Sequence, residues 1–141
     1  RLTTMVWPDP IATLIASVVA FLFGAIYYTV LAKPWRRAAG VSAEAAQQTP
    51  ASLVTIFVLT ALMVAGVGWL LATIGISNSV PSGVIVMAIV WLTLVFAPIT
   101  LNHRAQGRPW TLTAIDTVYW LLIIEIATLV HIYWAGAPKF S

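Results

Sequence analysis

From Ala45 to His103 the chain runs for 59 residues without a formal charge, and Pro10 to Ala32 is a second uncharged stretch. A soluble chain of this size could not hide so much apolar surface, because about 30% of the surface of the unfolded chain would still face water. Charged residues make up 8% of the 141, against about 25% in an ordinary soluble domain. That balance excludes a soluble enzyme, a nucleic-acid-binding module and a disordered chain, and it points to an integral membrane protein.

A helix needs about 20 mainly apolar residues to cross the hydrocarbon core. Four stretches qualify: Ile11–Ala32, Ser52–Ile76, Pro81–Leu101 and Thr113–Trp134. Their apolar runs do not alternate with polar residues, as β-barrel strands would. Residues 1–141 therefore read as one all-α, polytopic domain: four transmembrane helices in a compact bundle.

Local chemistry marks the ends. Asp9-Pro10 is a helix cap followed by proline at the first helical position, where its missing N–H costs nothing. Lys33-Pro34 closes the first span, Thr49-Pro50 opens the second, and Ser77 to Pro81 is a tight polar turn. Asn102 to Arg108 is a polar loop. Thr113-x-x-Asp116 has the pattern of a capping box, which places Asp116 at the start of the fourth helix. Ser42 to Gln48 is helix-prone and predicts a short surface helix. The first span is longer than a signal-peptide core and lacks a basic segment in front, so it reads as a retained helix. The absence of cysteine excludes disulfides and thiolate chemistry.

The basic residues predict an orientation. Lys33, Arg36, Arg37, Arg104 and Arg108 lie on one side of the four spans, and only Arg1 and Lys139 on the other. The positive-inside rule then puts the richer side in the cytoplasm of a cell with this protein in its inner membrane, with both termini outside. Trp7 and Trp134 suit the outer interface; Tyr27, Tyr28, Trp35 and Trp110 suit the inner one. The three basic residues of the first loop also form a modest patch toward anionic lipid.

Two blocks carry a resemblance. Ile11 to Gly40 holds Phe-x-x-Gly-Ala-x-Tyr-Tyr at Phe21–Tyr28, then a basic residue and tryptophan. Asn102 to Leu122 holds Gly-Arg-Pro-Trp at Gly107–Trp110 before a helix. Both resemble the bacterial domain-of-unknown-function family 1761, small four-helix membrane proteins, over about Ile11 to Trp134. Tyr27 stands where the family's pattern has tryptophan. The resemblance implies a fold and a topology but no established activity, so it carries over no catalytic residue.

Few residues are left for chemistry. Glu125 falls about 18 Å into the fourth helix, near mid-membrane, where a carboxylate costs at least about 2.5–3.5 kcal/mol. It reads as a neutral acid bonded inside the bundle, as a polar anchor for a partner helix, or as a proton-carrying site. Trp91 has nearly the same depth, and an indole-to-Glu125 hydrogen bond is the economical partner for both. Asp116 and Glu125 lie about 180° apart around the helix, which removes paired acid–base catalysis. His131 reads as an interfacial anchor beside Tyr133 and Trp134, with metal or pigment ligation the weaker alternative. His103 reads as a solvated loop residue.

Ala12, Ala16, Ala20 and Gly24 repeat every four residues, a small-residue ridge that admits another backbone closely. Ala61, Ala65, Gly68 and Ala72 offer a facing surface on the second span. Pro98 predicts a kink in the third. No nucleotide-binding, zinc-protease or serine-hydrolase motif is present.

These residues describe a non-enzymatic membrane protein without a cofactor. It is expected to act as a structural or accessory subunit whose partners are the bilayer and other transmembrane helices, of a larger complex or of itself. An energy-converting or photosynthetic complex is compatible. The alternatives are a small transporter or proton conductor centred on Glu125, and a cofactor- or pigment-binding protein using His131.

Overall fold

The computed structural model describes residues 6–76 and 78–136. Asp9 caps α1 (Pro10–Val30), its carboxylate accepting from the Ile11 and Ala12 amides at 2.8 and 3.1 Å. Those are orphan donors of the first turn. Only Leu31 separates α1 from α2 (Ala32–Ala39). Pro34 thus does not close the first span; it sits in the first turn of α2, where no amide partner is lost. Gly40 ends α2 in the left-handed region at φ 70°, a conformation that costs glycine no Cβ clash.

The surface helix expected at Ser42–Gln48 is a single turn. Ser42 accepts from Ala45 through its hydroxyl and from Ala46 through its carbonyl, and the chain then leaves helical geometry. The surface helix lies instead at α2, where the basic residues are.

Thr49 caps α3 (Pro50–Thr73), accepting the Ser52 amide at 3.1 Å. After a short turn, α4 (Val80–Trp91) passes through a π-helical turn at Leu92–Phe96 into α5 (Ala97–Ala105). In the π turn the Ala97 amide reaches back five residues to the Leu92 carbonyl. Pro98 follows at once and has no N–H for the ladder, so helical continuity is recovered by widening the turn before it. The last helix, α6, runs from Trp110 to Gly136. Among the described residues four helical segments are long and apolar enough to cross a membrane: Pro10–Val30, Pro50–Thr73, Val80–Ala105 and Trp110–Trp134.

The hub is α6. Half of its membrane window (50%) is buried, against 28%, 22% and 6% for the other three in chain order. Helices α1, α3 and α4 all pack on it, and α1 also packs on α3. Ala16, Ala20, Val64, Leu71, Met87, Ile123 and Ala127 form the centre of the shared core. The outward faces of α1, α3 and α4 carry exposed Leu14, Leu22, Leu62 and Ile85, as lipid solvation requires.

Candidate functional site

Glu125 lies in the middle of α6, and both carboxyl oxygens are occluded with no hydrogen-bond partner. The expected bond from Trp91 is not made. The Trp91 indole turns toward the start of α6 and donates to the Thr117 carbonyl at 2.8 Å. A helical carbonyl has a second lone pair beyond its ladder bond, so it can take this donor without breaking the helix. Several small hydroxyls within the spans bond their own helices instead. Ser17, Thr60, Thr93, Thr117 and Thr128 each donate to the carbonyl four residues back.

The ridge of α1 is fully covered: Ala12, Ala16, Ala20 and Gly24 are all buried. At Gly24 the covering residue is Tyr119 of α6, whose hydroxyl would lie 2.7 Å from an added Cβ. Toward α3 the contact includes an edge-to-face pair, Phe21 with Phe57, at 5.5 Å. The inward face of α3 is Thr60, Val64, Val67, Gly68 and Leu71, so of the facing surface read from sequence only Gly68 is buried. Gly68 receives the imidazole of α6 rather than the ridge of α1.

That imidazole is His131. It is 7% exposed, not an interfacial anchor, and its Nε2 lies 3.2 Å from the Val64 carbonyl. A carbonyl only accepts, so Nε2 carries the proton and Nδ1 alone keeps a lone pair. Gly68 makes this possible, because a Cβ there would sit 2.5 Å from Cε1. Among the described residues no three histidine or acidic side chains converge as a metal site would need.

At the other end of the bundle the structure assembles groups that sequence reasoning kept apart. Asp116 is not a cap: α6 begins at Trp110, so Asp116 lies in its second turn. Its Oδ1 accepts from the Tyr28 hydroxyl at 2.9 Å and from the Trp35 indole at 3.1 Å. The neighbouring Tyr27 hydroxyl donates to the Ile115 carbonyl at 2.7 Å. Tyr28 stacks obliquely on Tyr119 at 4.8 Å and meets Trp35 edge-on at 6.1 Å. Asp116 thus fastens α1 and α2 to α6 through one oxygen.

Thr113 is buried and serves α5. Arg104 Nη2 donates to its hydroxyl oxygen at 2.9 Å, and His103 Nδ1 lies 2.9 Å from the same oxygen. His103 is therefore a packed residue of the last turn of α5, not a solvated loop residue. The Arg104 guanidinium also lies over the Trp110 ring at 3.9 Å, a cation–π contact. The available signal was the spacing of Thr113 and Asp116, three residues apart on one face of α6. Lys33 and Arg37 are exposed on α2, Arg36 donates to the Ala32 carbonyl, and Arg108 donates to the Ala39 carbonyl at 3.0 Å.

No curated protein and no solved structure matches the chain. A family model does match, over residues 11–132, from the first turn of α1 almost to the end of α6. It takes in both the covered ridge and the aromatic pair that holds Asp116. The chain belongs to DUF1761, a family of proteins of unknown function.

Proposed function

We propose that this membrane protein is a structural or accessory subunit, without catalytic chemistry of its own, that packs through helix faces in a larger assembly. The supporting observation is the carboxyl group of Glu125, occluded and unpartnered within its own chain. A polar group in that position is costly. A hydrogen-bonding group on another helix, from a partner or a second copy, would offset that cost. Glu125→Gln keeps a donor and an acceptor of the same size, and co-purification of the assembly from native membranes should persist. Glu125→Leu should weaken association about threefold, the equivalent of a typical membrane hydrogen bond of about 0.6 kcal/mol. Equal recovery of both variants would sink this reading.

The same unpaired acid supports a second reading, a proton conductor. Gln cannot ionise, so proton flux in proteoliposomes that disappears on Glu125→Gln would establish that reading and displace the first.

The orientation belongs to the proposal as well. The end bearing α2 and the α5–α6 turn faces the cytoplasm of a bacterial inner membrane, supported by its excess of basic residues. Arg1, Ser77 and Lys139, which enter the sequence reading, lie outside the described residues. A reporter that fluoresces only in the cytoplasm, fused after Ser141, should stay dark; a bright fusion would reverse the orientation.

A further inference from the structure

The α2 end of the bundle holds five cationic side chains, and those with hydrogen-bond partners spend them on neutral acceptors. Arg36 takes the Ala32 carbonyl, Arg104 takes Thr113 and the Trp110 ring, and Arg108 takes the Ala39 carbonyl. The Arg104 Nε is occluded with no partner at all. Two acids lie at this end. Asp116 already accepts from Tyr28 and Trp35 through Oδ1, and Glu44 is exposed on the connecting turn. The cations are in excess of the anions the chain provides here.

The excess has a shape. A cleft of about 350 Å³ separates α2 from the first turn of α6, lined by Pro34, Arg37, Ala38, Pro109 and Thr111. Arg108 holds its walls together: it follows Gly107 in the α5–α6 turn and bonds the last carbonyl of α2. Pro34, Ala38 and Pro109 make the apolar part of the lining, and its polar side chains are one guanidinium and one hydroxyl. That combination suits a phosphodiester with a glycerol backbone behind it. A guanidinium forks onto two phosphate oxygens, and a threonine hydroxyl donates to a third. The cleft also lies at the end of the spans, and its lining residues Pro34, Pro109 and Thr111 are sequence neighbours of Trp35 and Trp110, a residue type enriched at headgroup depth.

We propose that this cleft binds the phosphate of an anionic phospholipid headgroup, with Arg37 as its principal contact. This differs from diffuse attraction of a basic patch to a charged surface, which would count every cation alike. The test uses the whole protein in nanodiscs of phosphatidylcholine doped with phosphatidylglycerol, reading lipid retained through purification by native mass spectrometry. Arg37→Gln should lower retained phosphatidylglycerol at least fivefold. Lys33→Gln, which removes the same charge from the same helix outside the cleft, should change it less than twofold. Ala38→Phe fills the cleft without altering charge and should match Arg37→Gln, with circular dichroism and melting unchanged. Equal effects of the Arg37 and Lys33 variants would overturn the proposal, and so would parental retention by a folded Ala38→Phe. Displacement of the lipid by millimolar inorganic phosphate would assign the cleft to a soluble anion and overturn the lipid assignment.

Discussion

Gly68→Ala should destabilise the folded protein by about 2–3 kcal/mol, whereas Gly66→Ala, two residues away on the same helix, should not. The added Cβ at Gly68 would lie 2.5, 2.6 and 2.9 Å from three atoms of the His131 ring, while at Gly66 nothing lies within 4 Å. The imidazole cannot yield by a small rotation, because its Nε2 is held by the Val64 carbonyl. Overpacking of this kind costs typically about 1–3 kcal/mol, and the displaced hydrogen bond adds about 0.6 kcal/mol. Helix propensity alone would favour alanine at both positions, so the pair separates packing from backbone effects. Thermal unfolding in detergent, followed by circular dichroism, reads the difference. His131→Ala should remove most of the penalty in the double variant, since neighbours that share a contact are not additive. Equal melting of the two alanine variants would mean that α3 and α6 do not meet at this point.

Asp116→Ala should cost a comparable amount, about 2–4 kcal/mol, by a different route. The Tyr28 hydroxyl and the Trp35 indole both donate to Oδ1 and are half-buried, so each left without an acceptor costs toward the lower end of the about 1–3 kcal/mol of a fully buried donor. Asp116→Asn keeps a carbonyl oxygen in place and should recover most of the loss. If Asp116 were only a helix cap, Tyr28→Phe would leave stability unchanged in both backgrounds. With the observed bond, Tyr28→Phe is destabilising in the parent and nearly neutral on Asp116→Ala. A double-mutant cycle on unfolding midpoints decides between them.

The four spans were legible because backbone chemistry in lipid leaves so few alternatives: Asp9-Pro10, Thr49-Pro50 and the uncharged runs place helix ends within a few residues. The small-residue ridge was legible too, since bulk itself is the signal. The pairings were not. Counting residues gives Trp91 and Glu125 a common depth but no direction around the helix. In a soluble protein, polar residues would mark the outward face and supply that direction. In lipid both faces are apolar, so Trp91 was free to turn to Thr117 and His131 to Val64 without any trace in hydropathy. For Asp116 the short pattern Thr-x-x-Asp points locally to a helix cap. Its partners stand 81 and 88 positions away, beyond the reach of any local pattern.

The π turn at Leu92–Phe96 has a consequence for phase. At about 100° per residue, an unbroken α-helix would set Trp91 and His103, twelve positions apart, about 120° from each other. A π turn takes up one extra residue, which rewinds everything after it by about 100° and brings the two onto nearly one meridian. Both side chains then address α6, Trp91 at the Thr117 carbonyl and His103 at the Thr113 hydroxyl. The widened turn acts as a gear tooth: it is one residue of slack that lets a single long helix keep the same partner above and below a proline.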